Sequence, residues 1–96
     1  MKTDSDTIVV VGGGSAGGMT AYTLKKIFPH KTITIIESKT IPTTGVGEST
    51  LGQINQWLAL LGIEDKDFMK ECDASYKLGI RFEDFYQKGD RGFYYP

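Results

Sequence analysis

Cysteine and histidine are scarce in this chain of 96 residues, which contains only Cys72 and His30. One cysteine cannot form an internal disulfide, and one histidine excludes a histidine-rich metal cluster. Cys72 also has no evident partner that would make it a reactive thiol. The sequence therefore predicts neither a disulfide-bonded scaffold nor a metal site, and its cysteine usage fits a reducing, cytoplasmic setting.

An excess of charge and a long hydrophobic run are also lacking. The 11 Lys and Arg residues nearly balance the 12 Asp and Glu residues, for a net charge of -1, so no electrostatic argument favours nucleic acid or an anionic membrane as a partner. The apolar run Ile8 to Val11 is much shorter than the roughly 20 residues of a membrane span or the roughly 7 to 15 of a signal-peptide core. We therefore expect a soluble, cytoplasmic protein.

The first part of the chain has the pattern of an α/β fold. Residues 7–11 are β-branched throughout and are followed by glycine, which is typical of a strand buried on both faces of a parallel sheet. A helical pattern begins at Ser15 and ends before Pro29, and Thr32 to Glu37 has the pattern of a second strand. After a disordered start at residues 1–6, residues 7–37 are thus predicted to form a Rossmann-like βαβ unit.

A long loop and two helices are predicted next. Residues 38–50 have too little apolar periodicity for a helix or strand, and loops of this length are often functional. The form of a capping box at Thr50 to Gln53 predicts a helix from Leu51, with Gly62 as its left-handed stop. A shorter helix is predicted from Glu64 or Asp65 to Cys72, which would bury Phe68, so the helices together occupy residues 51–72.

A β-hairpin is predicted for residues 76–96. Apolar and polar residues alternate from Tyr76, a turn is expected at Lys88 to Asp90, and a returning strand runs through Phe93 to Tyr95. Two short parallel strands and a hairpin would leave sheet edges uncovered. We therefore expect the whole chain, residues 1–96, to be the amino-terminal part of one larger domain.

The glycines between the first strand and the helix carry the chemical signal. Gly12, Gly14 and Gly17 have the G-x-G-x-x-G spacing, in which the first permits a tight turn, the second lets a pyrophosphate approach the main chain, and the third lets helix and strand pack closely. The helix amino terminus would face the phosphates. The candidate contacts in this loop are Gly12, Gly13, Gly14, Ser15, Ala16 and Gly17. They predict a dinucleotide site, with a purely structural glycine turn as the alternative.

Glu37, at the end of the second strand, narrows the choice of dinucleotide. A carboxylate there can accept hydrogen bonds from a ribose hydroxyl and would repel a ribose 2′-phosphate. NADP is therefore disfavoured, although the nearby Lys39 weakens the inference. The fingerprint alone does not distinguish FAD from NAD.

Further motifs indicate the class of protein more specifically than the glycine spacing does. They are Glu37-Ser38-x-x-Ile41-Pro42-x-x-Gly45-Val46-Gly47-Glu48-Ser49-Thr50, then Leu61-Gly62-Ile63, then Ala74-Ser75-Tyr76-Lys77-Leu78-Gly79-Ile80. With these pieces in this order, residues 8–86 resemble the amino-terminal region of the flavin-dependent halogenases, the tryptophan halogenase family.

The resemblance implies the amino-terminal part of an FAD-binding domain and an enzyme that uses reduced FAD. A separate flavin reductase would supply the FADH2, oxygen and halide would give hypohalous acid, and a lysine would guide this oxidant to a small electron-rich aromatic substrate. The matching lysine is Lys77. The segment Gly45 to Thr50 matches the family's flavin strap, whose conformation responds to FAD. The resemblance adds Ser38, Gly47, Ser49 and Thr50 to the candidate FAD contacts.

Several alternatives stay open at this level. Lys77 could polarise hypohalous acid as an ammonium or form a haloamine as a neutral amine, which burial would favour. Glu48 could be an acid or base, or could bond to nearby N–H groups. The chain could also belong to another Rossmann-type FAD monooxygenase or reductase, or to a non-catalytic nucleotide-binding module. The family's second catalytic carboxylate and halide contacts would lie beyond Pro96, so we expect the 96-residue chain alone to be inactive.

Overall fold

The computed structural model describes residues 5–95, and its architecture is α/β. In chain order the elements are β1 (Thr7–Val11), α1 (Ser15–Ile27), β2 (Thr32–Ile36), α2 (Ile54–Leu60), α3 (Asp65–Glu71), β3 (Ile80–Phe82) and β4 (Phe93–Tyr95). The disorder predicted for residues 1–6 falls mostly outside the described residues, as does the last position of the predicted hairpin. The chain divides into two compact units, Met1–Glu48 and Ser49–Pro96, and each is described by itself.

The first unit is a βαβ unit. Strands β1 and β2 are parallel, with Thr7 opposite Thr32 and Val11 opposite Ile36. The Gly12 N–H extends this ladder by donating to the Ile36 carbonyl oxygen at 2.8 Å. Helix α1 packs on both strands, and Ala21 of this helix is buried. The predicted α/β architecture is thus confirmed, although β2 ends at Ile36, one residue earlier than expected.

The prediction that β1 is buried on both faces is wrong for this unit. Ile8 and Val10 are half-buried, whereas Val9 and Val11 are 50% and 83% exposed. The alternation arises because successive side chains of a strand point to opposite faces, and α1 is the one helix that packs on the strands within residues 5–48. The β-branched composition of β1 is typical of a strand that is covered on both faces. Within residues 5–48, α1 covers one face of the two strands.

In the second unit, α2 begins at Ile54, so the predicted start at Leu51 is wrong. Its amino-terminal capping residue is Gln53, which makes no side-chain capping hydrogen bond among the described residues. A tight turn precedes the helix instead, because the Ile54 and Asn55 N–H groups donate to carbonyl oxygens three residues earlier, at 3.1 and 3.2 Å. These short-range bonds occupy the segment in which the sequence predicted the first helical turn.

The carboxyl end of α2 follows the prediction. Gly62 has a φ of +69°, the left-handed conformation that ends many helices. The Gly62 N–H donates to the Ala59 carbonyl at 3.1 Å, and the Ile63 N–H donates to the Leu58 carbonyl at 2.9 Å. This pair of bonds is a Schellman motif, and Leu58 and Leu61 beside it are buried.

Helix α3 starts at Asp65, as predicted, and ends at Glu71. Phe68 is half-buried, and Cys72, which the sequence placed at the end of this helix, is exposed. None of the helices within residues 5–95 is long and apolar enough to cross a membrane.

The chain then forms the predicted antiparallel hairpin, but with a shorter first strand. Ile80 lies opposite Tyr95 and Phe82 opposite Phe93, and the Phe82 and Phe93 rings stack with centroids 5.0 Å apart. The first strand begins at Ile80 and not at the predicted Tyr76. Lys77 therefore lies in the loop before β3.

Candidate functional site

The glycine loop joins β1 to α1 through a turn that requires glycine at its first position. Gly12 has a φ of +120°, a region that residues with a Cβ rarely adopt. The ladder bond from its N–H to Ile36 fixes this residue beside the end of β2. The geometry agrees with the tight-turn role predicted for Gly12.

Gly14 leaves the start of α1 open. It is the amino-terminal capping residue of the helix, and a Cβ built on it would meet no atom of the described chain within 4 Å. Across residues 5–95, no side chain caps this helix end by a hydrogen bond, and the first turn contains no acidic residue. The first N–H groups of a helix have no intrahelical partner and carry a partial positive charge, so this end of α1 can accept an anionic group.

Gly17 permits the close approach of α1 to the turn. A Cβ on Gly17 would overlap the carbonyl oxygen of Gly12 and would lie 2.8 Å from its carbonyl carbon. Both are backbone atoms, so a side chain at this position could not be accommodated by a rotamer change. The spacing therefore combines a positive φ at Gly12, an open main chain at Gly14 and a close helix contact at Gly17.

Glu37 lies against the same loop, directly after β2. A Cβ on Gly13 would overlap the Glu37 carboxylate and would lie 2.7 Å from the Glu37 Cβ. The structure thus brings together Gly13 and Glu37, two residues that the sequence had assigned to one nucleotide site. The carboxylate is exposed, which leaves it free to accept hydrogen bonds from a ligand hydroxyl.

Glu48 reaches the start of α1, a contact that the sequence analysis did not identify. The Ser15 hydroxyl donates to Glu48 Oε2 at 2.8 Å, so Glu48 accepts from a hydroxyl rather than from the N–H groups expected. The two residues are 33 positions apart, and no local sequence pattern links them. A carboxylate therefore lies beside the helix end that could accept an anion.

The other candidate FAD contacts are Ser38, Gly47, Ser49 and Thr50, which lie in an exposed segment without helix or strand. Ser38 Oγ accepts from the Thr40 and Ile41 N–H groups, each at 3.2 Å, and so stabilises its own turn. Gly47 has a φ of +95°, which again favours glycine. Ser49 and Thr50 begin the second unit.

Lys77 contacts the end of the strap within the second unit. Its Nζ donates to the Thr50 carbonyl oxygen at 2.7 Å, and the side chain is otherwise exposed. Two candidates that are 27 positions apart in the chain are therefore in direct contact. Within residues 5–95, no group of three or more His, Cys, Asp or Glu side chains is arranged to hold a metal ion.

The fold and the glycine loop define an α/β unit of Rossmann type. The chain belongs to the tryptophan halogenase family, whose model matches residues 7–95. The family resemblance inferred from the sequence motifs is confirmed.

Individual relatives agree with this assignment. The chain is 45% identical over 92 residues to the tryptophan 6-halogenase of Streptomyces toxytricini, covering 95% of this chain and 17% of the relative. It is 47% identical over 90 residues to the 7-chloro-L-tryptophan 6-halogenase of Kutzneria sp. (strain 744), covering 93% of this chain and 17% of the relative.

Solved structures share the fold. The crystal structure of the S. toxytricini enzyme aligns with a TM-score of 0.77 and 44% identity, over 93% of this chain and 18% of that one. The apo structure of VirX1 aligns with a TM-score of 0.80 and 42% identity, over 98% of this chain and 17% of that one. The chain thus spans less than a fifth of the length of the relatives it matches.

Proposed function

We propose that this chain is part of a flavin-dependent halogenase that acts on an electron-rich aromatic compound. The observation that carries the proposal is the match to the tryptophan halogenase family over residues 7–95. Relatives that are 45% and 47% identical are named as enzymes that halogenate tryptophan or a chlorinated tryptophan. The proposed substrate is the broader class of electron-rich aromatic compounds, because the chain spans only 17% of the length of those relatives.

FAD is the cofactor that we propose for the glycine loop. The loop fits a diphosphate, because Gly14 leaves the main chain accessible and the start of α1 has no side-chain cap among the described residues. Glu37 would accept hydrogen bonds from the adenosine ribose, beside Gly13. Ser38, Gly47, Ser49 and Thr50 are proposed as further contacts. When bound in its reduced form, FAD would supply electrons for the conversion of oxygen and halide to hypohalous acid.

Lys77 is the residue that we propose to guide hypohalous acid to the substrate. A lysine ammonium has three N–H donors, and the Thr50 carbonyl accepts one of them at 2.7 Å. The remaining donors can hydrogen-bond the oxygen of hypohalous acid and polarise its bond to the halogen. The contact with Thr50 supports this role, because it holds the side chain next to the segment proposed to respond to FAD.

The proposal includes three reaction partners and a cellular location. Halide and a small aromatic compound would be substrates, and a separate flavin reductase would deliver reduced FAD by a transient encounter. A cytoplasmic location is proposed from the cysteine usage of the chain.

The activity can be tested on full-length protein with reduced FAD, oxygen, bromide and an electron-rich indole. A brominated product, identified by its mass and isotope pattern, is expected. A hydroxylated product would instead indicate a monooxygenase. Nucleotide binding without flavin-dependent oxygen consumption would indicate a non-catalytic module.

The role of Lys77 is tested by Lys77→Ala. The variant should bind FAD with unchanged affinity but lose aromatic bromination, because the donor that guides the oxidant is removed. Lys88→Ala removes another exposed lysine of the same unit and should keep both properties. Bromination retained by Lys77→Ala would contradict the assignment.

A further inference from the structure

We infer that Gly13 is a positioning residue, whose missing side chain sets the place of the Glu37 carboxylate and thereby the recognition of the adenosine ribose. The inference rests on the proposed FAD site and adds a specificity determinant to it. Gly13 is one of the unspecified positions of the G-x-G-x-x-G spacing, so the fingerprint itself gives no reason for a glycine there. The glycine is explained by Glu37, whose side chain lies against this position.

Gly13 differs from the other glycines of its loop in the kind of neighbour it has. A Cβ on Gly13 would meet three atoms of Glu37, with the Cβ at 2.7 Å, the Cδ at 2.8 Å and the Oε2 in overlap. All three nearest atoms belong to one side chain. Its φ is not in the left-handed region, since the positive-φ residues of the described chain do not include it. An alanine would therefore be allowed by the backbone and excluded by Glu37.

A rotamer change of Glu37 could not relieve this overlap completely. Rotation about χ1 moves the Cδ and the carboxylate, but the Cβ is fixed by the backbone, and it is the atom 2.7 Å away. The backbone in turn is held by the ladder bond from the Gly12 N–H to the Ile36 carbonyl at 2.8 Å. An added methyl group must therefore displace both the carboxylate and the end of β2 from the loop.

The displacement would act on ligand recognition rather than on the loop alone. A carboxylate accepting hydrogen bonds from ribose hydroxyls must lie within about 2.5–3.0 Å of them. The same loop would hold the diphosphate through its backbone, so the distance between loop and carboxylate sets the distance between diphosphate and ribose contacts. The space at Gly13 fixes that distance.

The test compares FAD with an FAD analogue whose adenosine ribose lacks both hydroxyls, using full-length protein and flavin fluorescence titration. The wild-type protein should prefer FAD by roughly 10- to 100-fold, as expected for hydrogen bonds to a charged acceptor. Glu37→Ala should reduce this ratio to near 1. Gly13→Ala should also reduce it to near 1. Glu37→Gly removes the Cβ as well as the carboxylate, so adding Gly13→Ala to Glu37→Gly should leave the affinity for FAD unchanged within about threefold.

Gly18→Ala is the matched control, because a Cβ there would meet no described atom within 4 Å, and it should keep the wild-type ratio. If Gly13→Ala weakens both ligands equally and keeps the ratio, it acts on the loop alone and the inference is wrong. A wild-type protein that binds FAD but shows no preference between the ligands would refute the role of Glu37 and, with it, the inference. A wild-type protein that binds neither ligand would overturn the proposed FAD site itself.

Discussion

Two adjacent glycines of α1 should respond in opposite directions to the same substitution. Gly17→Ala places a methyl group against the Gly12 carbonyl, 2.8 Å from its carbon atom and in overlap with its oxygen. Gly18→Ala places the same group where no described atom lies within 4 Å. The two variants therefore change helix propensity by about the same amount. They differ in the atoms that the added methyl group meets.

The magnitudes follow from two opposing effects. Replacing a helical glycine by alanine stabilises a helix by about 0.5–1 kcal/mol, and Gly18→Ala should gain an amount of this order. Gly17→Ala gains the same but must move α1 away from the turn, and such overpacking costs about 1–3 kcal/mol. Because both overlapped atoms are backbone, we expect a cost near the upper end and a net loss of about 1–2 kcal/mol.

The assay is urea unfolding of the full-length protein, followed by circular dichroism and repeated with FAD. Gly17→Ala should lower the midpoint at an unchanged slope and weaken FAD binding, since the turn that fits the diphosphate is displaced. Gly18→Ala should keep or raise the midpoint. Equal shifts of both midpoints in the same direction would refute the close approach of Gly17 to Gly12.

Two further substitutions test other contacts. Gly62→Ala forces alanine into a φ of +69° and should destabilise the second unit by about 1–2 kcal/mol, whereas Gly52→Ala, at a position without positive φ, should cost less than about 0.5 kcal/mol in the same urea titration. Glu48→Gln keeps an oxygen acceptor for Ser15 but removes a negative charge from the start of α1, so FAD should bind about two- to fivefold more tightly by fluorescence titration. Weaker binding by Glu48→Gln would mean that FAD uses the carboxylate.

The sequence predicted the elements whose signals are local. The β-branched run of β1, the stop before Pro29 and the left-handed Gly62 each depend on a few neighbouring residues, and the structure agrees with all three. The family followed from motifs of fixed order, which the match over residues 7–95 confirms. Local signals predict structure because residues that are close in the chain interact in whichever fold the chain adopts.

The wrong predictions concern properties that depend on distant partners. The first strand of the hairpin spans Ile80–Phe82, although apolar and polar residues alternate from Tyr76, since the extent of pairing depends on two strands together. The capping box at Thr50 is an exception, since its signal is local: the Ile54 and Asn55 N–H groups donate to carbonyl oxygens three residues earlier, and α2 begins at Ile54. The contacts of Glu48 with Ser15 and of Lys77 with Thr50 join residues that are 33 and 27 positions apart. A periodic pattern in the sequence does not predict such pairs.

The glycines of the loop differ in what a Cβ at each position would meet. At Gly12 the backbone conformation itself excludes a Cβ, at Gly17 a backbone carbonyl does, and at Gly13 a side chain does. At Gly14 nothing in the described chain does, and the proposed FAD site gives a reason for a glycine there. Alanine at Gly12 or Gly17 should therefore lower stability and binding together, whereas alanine at Gly14 should lower binding of FAD at unchanged stability. That separation follows from the geometry and would be absent if the loop were only a structural turn.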